Sequence, residues 1–183
     1  MPSFARRSFL KTSLLAAASL VLTVSPKVWA KTYLSIDQAR KLIWGDTPMV
    51  STNIVLTKGQ RKAIKKASRV RVRSAKVTAW KTEDGGWFIV DQVIGKHENI
   101  DIAVGLDSSG KVMGIEILVY RETYGYQIAN PKWRAQFTGK DNSEHLKLDK
   151  QIRNISGATL SCRHITDGIN RLTHTWDIIL KAL

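Results

Sequence analysis

At 183 residues, with 43% hydrophobic side chains, the chain has the length of one ordinary domain and enough apolar material for a single core. A lone cysteine, Cys162, excludes an internal disulfide, and no C-x-x-C-H is present to attach a c-type haem. The formal net charge of +14 calls for a negatively charged partner, which could be nucleic acid, anionic lipid or an acidic protein.

The first thirty residues differ in kind from the rest. Ala5-Arg6-Arg7-Ser8-Phe9-Leu10-Lys11 precede an apolar run from Ser13 to Val24, and Val28-Trp29-Ala30 closes on a small residue. This is the pattern of an export signal peptide of the twin-arginine (Tat) type, with cleavage expected after Ala30; Ala5 stands where that type usually carries Ser or Thr. The apolar run falls short of the ~20 residues that span a bilayer. The mature chain is therefore expected in the periplasm, peripheral to the membrane at most, and export argues against nucleic acid as its partner. Removing the signal takes away Arg6, Arg7, Lys11 and Lys27 and no acid, so the remainder stays strongly basic.

Residues 31–69 read as an N-terminal helical segment. Ser35 and Gln38 form a capping box for a short helix that ends at Gly45. After a loop around Pro48, Thr57 and Gln60 repeat the start signal. A second helix follows with Arg61, Lys62, Lys65, Lys66 and Arg69 on a solvated basic face.

From Val70 the period changes. Val70, Val72, Ala75, Val77, Ala79 and Trp80 alternate in part, Glu83-Asp84-Gly85-Gly86 turns, and Trp87 to Gly95 returns, which predicts a β-hairpin. Ile100 to Leu106 and Lys111 to Tyr120 alternate on either side of the turn Asp107-Ser108-Ser109-Gly110. The prediction is an α+β domain over residues 70–183: an antiparallel sheet of about four strands covered by helices, ending in a long C-terminal helix.

Past the last strand lie Glu122-Thr123-Tyr124-Gly125 and then a short helix opened by Pro131. Trp133 and Phe137, four residues apart, either pack this helix on the core or touch an aromatic cofactor. The histidines His97, His145, His164 and His174 show no metal-ligand spacing, and no metal site is expected; His164 reads as a solvated helical side chain.

The final helix is marked by Leu160, Ile165, Ile169, Leu172, Trp176, Ile179 and Leu183 at steps of three to five residues. Its start, Ser156-Gly157-Ala158-Thr159-Leu160-Ser161, gathers hydroxyls and small residues. Unpaired first-turn N–H groups and the positive end of the helix dipole favour an anion there; a plain helix cap would use the same residue types.

With that hexapeptide and the Glu122-Thr123 loop, the chain resembles the FMN-binding domain family over roughly residues 70–183. In that family a flavin is esterified through its phosphate to a hydroxyl in S/T-G-A-T-x-S/T, and members include the periplasmic flavin subunits of the Rnf and sodium-translocating NADH:quinone reductase complexes. The resemblance implies covalent FMN on Thr159, with Ser161 as the alternative acceptor. It implies a cofactor site made of Ser156, Gly157, Ala158, Thr159, Leu160 and Ser161 together with Glu122 and Thr123. A separate magnesium-dependent flavin transferase using FAD would attach the group, and a membrane-bound redox protein would exchange electrons with it. The chain departs from the family pattern at Arg153, where Asp is usual, and at Tyr124, where Pro is usual.

No nicotinamide fingerprint, nucleophile with a paired base or carboxylate pair is visible. The reading therefore favours an exported FMN-binding electron-transfer protein over an enzyme with its own substrate. The alternative is a cofactor-free periplasmic binding or adaptor module that uses its basic surface.

Overall fold

The computed structural model describes residues 30–183. Apart from Ala30, the expected export signal lies outside the described residues. The core is one antiparallel sheet with helices on both faces, in the spatial order β1-β6-β5-β4-β3-β2. Its strands are β1 (Lys31–Thr32), β2 (Met49–Val55), β3 (Lys76–Thr82), β4 (Trp87–Ile94), β5 (Asn99–Leu106) and β6 (Val112–Tyr120). The main helices are α1 (Ile36–Trp44), α2 (Lys58–Ser68), α3 (Pro131–Arg134) and α4 (Thr159–Ile178).

The central meander β3 to β6 is the predicted one. Its hairpins close as their sequences dictate: Gly85 and Gly110 both take φ of +82°, which a side chain would resist. The Asp107 carboxylate accepts from the backbone N–H of Ser109 (2.8 Å) and Lys111 (2.9 Å), fixing the second turn.

Six strands rather than four result from two additions at the sheet edges. The segment after Pro48, expected as a loop, is β2, paired with β3 from Met49↔Thr82 to Val55↔Lys76. Lys31–Thr32 pairs with the end of β6. The helical segment expected over residues 31–69 thus also carries two strands. In the opposite sense, the strand expected from Val70 begins only at Lys76, because α2 ends on Arg69 in the left-handed region and the chain runs irregularly from there.

The two faces are buried unequally. On one, α1 covers a small cluster of Ala39, Phe88, Ala103 and Leu118. On the other, α4 and α2 cover the main core, which includes Trp87, Ile89, Ile102, Val104, Ile115, Ile165 and Ile169. Gly168 lets α4 lie close to the sheet, since a β-carbon there would stand 2.7 Å from Val93 Cγ1. Both capping boxes form as expected at Ser35/Gln38 and Thr57/Gln60. Trp133 and Phe137 are buried and meet edge-on, 5.3 Å between ring centroids, so they pack α3 onto the core.

Candidate functional site

The start of α4 sits where β6 ends and the β4–β5 turn folds over. A cleft of about 710 Å³ opens there, within the range of sites for small organic ligands. It is lined by Ser156 to Ser161, by Glu122 to Gln127, and by Lys96 and His97. The structure thus brings together all eight residues singled out in the sequence: Ser156, Gly157, Ala158, Thr159, Leu160, Ser161, Glu122 and Thr123. Leu160, assigned to the core stripe of the helix by periodicity, is 39% exposed and faces this cleft instead.

The helix begins without a side-chain cap: Ala158 is the N-cap residue, and the first helical bond runs from Cys162 N–H to the Ala158 carbonyl. The N–H groups of Thr159, Leu160 and Ser161 therefore have no intrahelical acceptor. Gly157, at φ +81°, has nothing within 4 Å of the position a β-carbon would take. That empty space beside uncapped N–H groups fits a phosphate-sized anion.

The two hydroxyls differ in surroundings. Thr159 is partly exposed, and its Oγ1 accepts from Asn154 Nδ2 at 3.1 Å. Ser161 is buried, and its Oγ lies 3.3 Å from the Tyr120 hydroxyl. The Tyr120 O–H is given to the Tyr124 carbonyl, which leaves Ser161 as the donor in that pair. Burial raises the Tyr120 pKa above its ordinary value, against the Ser161 hydrogen bond that lowers it, so the phenol keeps its proton near neutrality.

Glu122 does not project its carboxylate into open solvent. Its Oε1 accepts from the backbone N–H groups of His97 (2.5 Å) and Glu98 (3.0 Å), pinning the β4–β5 turn to the loop after β6. His164 is not the solvated helical side chain expected. Its Nδ1 lies 2.7 Å from the Ile94 carbonyl, which ties α4 to the base of the same turn.

Several participants escaped sequence reasoning. Tyr120 carries no local signal because Ser161 lies across the fold, and Asn154 carries none because it sits in an irregular segment ahead of α4. Tyr124 and Tyr126, 80% and 60% exposed at the cleft, read only as loop residues. The loop before the motif is held by main chain: the Trp133 indole donates to the Arg153 carbonyl (2.8 Å), and Arg153 N–H donates to Gln136 Oε1 (2.8 Å), while the Arg153 side chain is exposed. Cys162 is buried, and burial raises its thiol pKa, so it is a packing residue rather than a reactive one.

Residues 95–174 match the model of the FMN-binding domain family. Every residue lining the cleft falls inside the matched segment. Among individual proteins, the chain is similar to a component of the ion-translocating oxidoreductase complex of Shewanella piezotolerans (strain WP3 / JCM 13877). The identity is 31% over 90 residues, covering 43% of this chain and 42% of that protein. The chain therefore spans less than half the length of this curated relative. Among the described residues, no helix is long and apolar enough to cross a membrane.

Proposed function

We propose that the chain is an exported electron-transfer protein whose FMN is linked through its phosphate to Thr159. The observation that carries this reading is the convergence, in one cleft, of an accessible Thr159 hydroxyl, uncapped first-turn N–H groups and the open space over Gly157. The Thr159 oxygen receives a hydrogen bond from Asn154 and can go on receiving it as an ester oxygen, which only accepts. Ser161 is buried and donates to Tyr120, which supports Thr159 as the acceptor of the two.

In the attachment step a flavin transferase would break the pyrophosphate bond of FAD and form the P–O bond to Thr159 Oγ1. AMP would leave, and the threonine proton would end on the released phosphate or solvent. The phosphodiester keeps one negative charge, which the helix N-terminus stabilises by about 0.3–1 kcal/mol at an exposed position. When bound, the flavin supplies one- and two-electron chemistry. The chain's own residues hold it: Ser156 to Ser161 at the phosphate, with Tyr124 and Tyr126 as the aromatic surfaces available beside it.

The similar protein belongs by name to an ion-translocating oxidoreductase complex, which supports a membrane-bound redox protein as the electron partner. Periplasmic location and signal cleavage after Ala30 rest on the Arg6-Arg7 leader. The reading is tested by producing wild type and Thr159→Ala with a flavin transferase and looking for flavin fluorescence that survives denaturation. Fluorescence in the wild type and none in the variant supports it; equal signals, or none in either beside a modified control acceptor, overturn it.

A further inference from the structure

The sheet has an internal opening. β3 pairs with β4 only from Thr78↔Val90 to Lys81↔Trp87, whereas β4 runs on to Ile94 and stays paired with β5 as far as Ile94↔Asn99. Past Val90, β4 therefore has β5 on one side and, among the described residues, no strand on the other. The chain just before β3 turns away from this place: the Ala75 carbonyl accepts from Leu56 N–H (2.8 Å), and Val70 N–H donates to Ser68 Oγ (3.2 Å). A second cleft of about 670 Å³ results, with residues 69–74 on one wall, Asp91 to Ile94 along another, and α4 alongside.

Its charge is one-sided. Arg69, Arg71, Arg73 and Lys76 are exposed and take part in none of the ion pairs among the described residues. Two of the cleft's acids are already engaged. Asp91 is paired with Arg171, and Asp101 with Arg121 at 2.6 Å. Burial raises the Asp167 pKa, against the pull of His164, His145 and Arg163. Four cations without an ion-pair partner among the described residues thus face a strand edge with no strand partner. Open strand edges are templates for a further strand, with affinity from main-chain hydrogen bonds and selectivity from flanking side chains.

We propose that this cleft docks an extended acidic segment of a protein partner, added as a strand along β4 at residues 91–94 with its carboxylates on Arg69, Arg71 and Arg73. His164, which occupies the Ile94 carbonyl, closes one end of the opening. Most of the lining lies outside residues 95–174, the segment that matches the family model. It also adjoins the first cleft: Ile94 and Asn99 face one side of the β4–β5 turn, and Lys96 and His97 face the other. Delivery of electrons from a partner held there rests on the flavin reading; the binding itself does not.

The test uses the mature chain and three short peptides: alternating Glu and Val, its Gln/Val analogue, and a Glu peptide carrying Pro at alternate positions. Affinity is read by calorimetry and the contact by hydrogen exchange at the amides of residues 91–94. The Glu/Val peptide is expected to bind and to slow exchange there, with the Gln/Val and Pro peptides at least about tenfold weaker. Replacing Arg69, Arg71 and Arg73 with Gln should weaken the Glu/Val peptide by a similar factor; Arg73→Gln alone, checked for an unchanged melting point, serves if the triple variant misfolds. Equal binding of the Pro peptide, protection elsewhere than residues 91–94, unchanged affinity in the variants, or displacement of the peptide by phosphatidylglycerol vesicles would each overturn the proposal. Because flavin is not needed, failure here leaves the Thr159 reading untouched.

Discussion

Gly125 and Ala158 stand so close that a β-carbon on the glycine would lie 2.9 Å from that of the alanine and 2.6 Å from the Tyr120 hydroxyl. The loop that ends β6 is thereby pressed against the start of α4, and two motifs more than thirty residues apart become one wall. Gly125 also holds φ at +92°, a conformation that side chains resist. Gly125→Ala is expected to destabilise the fold by about 2–4 kcal/mol, from backbone strain plus overpacking. Gly157→Ala shares the strain but meets open space, so about 1–2 kcal/mol is expected. Urea denaturation of the two variants measures the difference; equal losses would contradict the packing argument.

Glu122 is a bracket for the β4–β5 turn. Glu122→Ala leaves the His97 and Glu98 N–H groups without their acceptor and should cost about 1–3 kcal/mol. Faster hydrogen exchange should appear first at His97 and Glu98, and unchanged exchange there would count against the bracket.

Much of this arrangement was legible in the sequence, for a physical reason. The central strands bury one or both faces, so alternation or an unbroken apolar run marks them, and small residues with hydroxyls mark the α4 start. β2 escaped because it is an edge strand: Val50 and Val55 are each 73% exposed and Ile54 is its buried residue, so its apolar residues do not mark one buried face. Val70 and Val72 misled in the opposite sense. Val72 is buried in the core from an irregular segment, so its apolar character reports burial rather than strand. His164 reaches a carbonyl seventy residues away in the chain, a contact that no local pattern encodes.

Acid should weaken the protein in two steps. Burial, opposed by Asp177, lowers the His174 pKa. A histidine depressed in the folded state binds fewer protons folded than unfolded, so stability present above pH 6.5 is lost as pH falls through the folded value. For Asp107, burial pushes the pKa up, but the hydrogen bonds from Ser109 and Lys111 together outweigh it and the net shift is down. That contribution is present above pH 3.8 and is lost below it. Asp167 has the opposite sign, so Asp167→Asn should raise stability at neutral pH. Urea midpoints from pH 8 to 3 check all three, with His174→Gln expected to flatten the upper step.

Arg153 occupies the place where the resemblance leads one to look for Asp. Its main chain is held at both N–H and carbonyl, and its side chain is exposed. Arg153→Asp should therefore leave the melting point within about 1 °C while speeding flavin attachment several-fold in a timed reaction with transferase and FAD. An unchanged rate would show that the transferase does not read this position.

The most direct measurement is the intact mass of the mature chain made with a flavin transferase, alongside Thr159→Ala and Ser161→Ala. The account predicts that wild type and Ser161→Ala each gain one flavin mononucleotidyl group, with Ser161→Ala losing about 1 kcal/mol of stability, and that Thr159→Ala stays at the bare mass while folded. A bare mass for the wild type beside a fully modified control acceptor, or a modified Thr159→Ala, would contradict it.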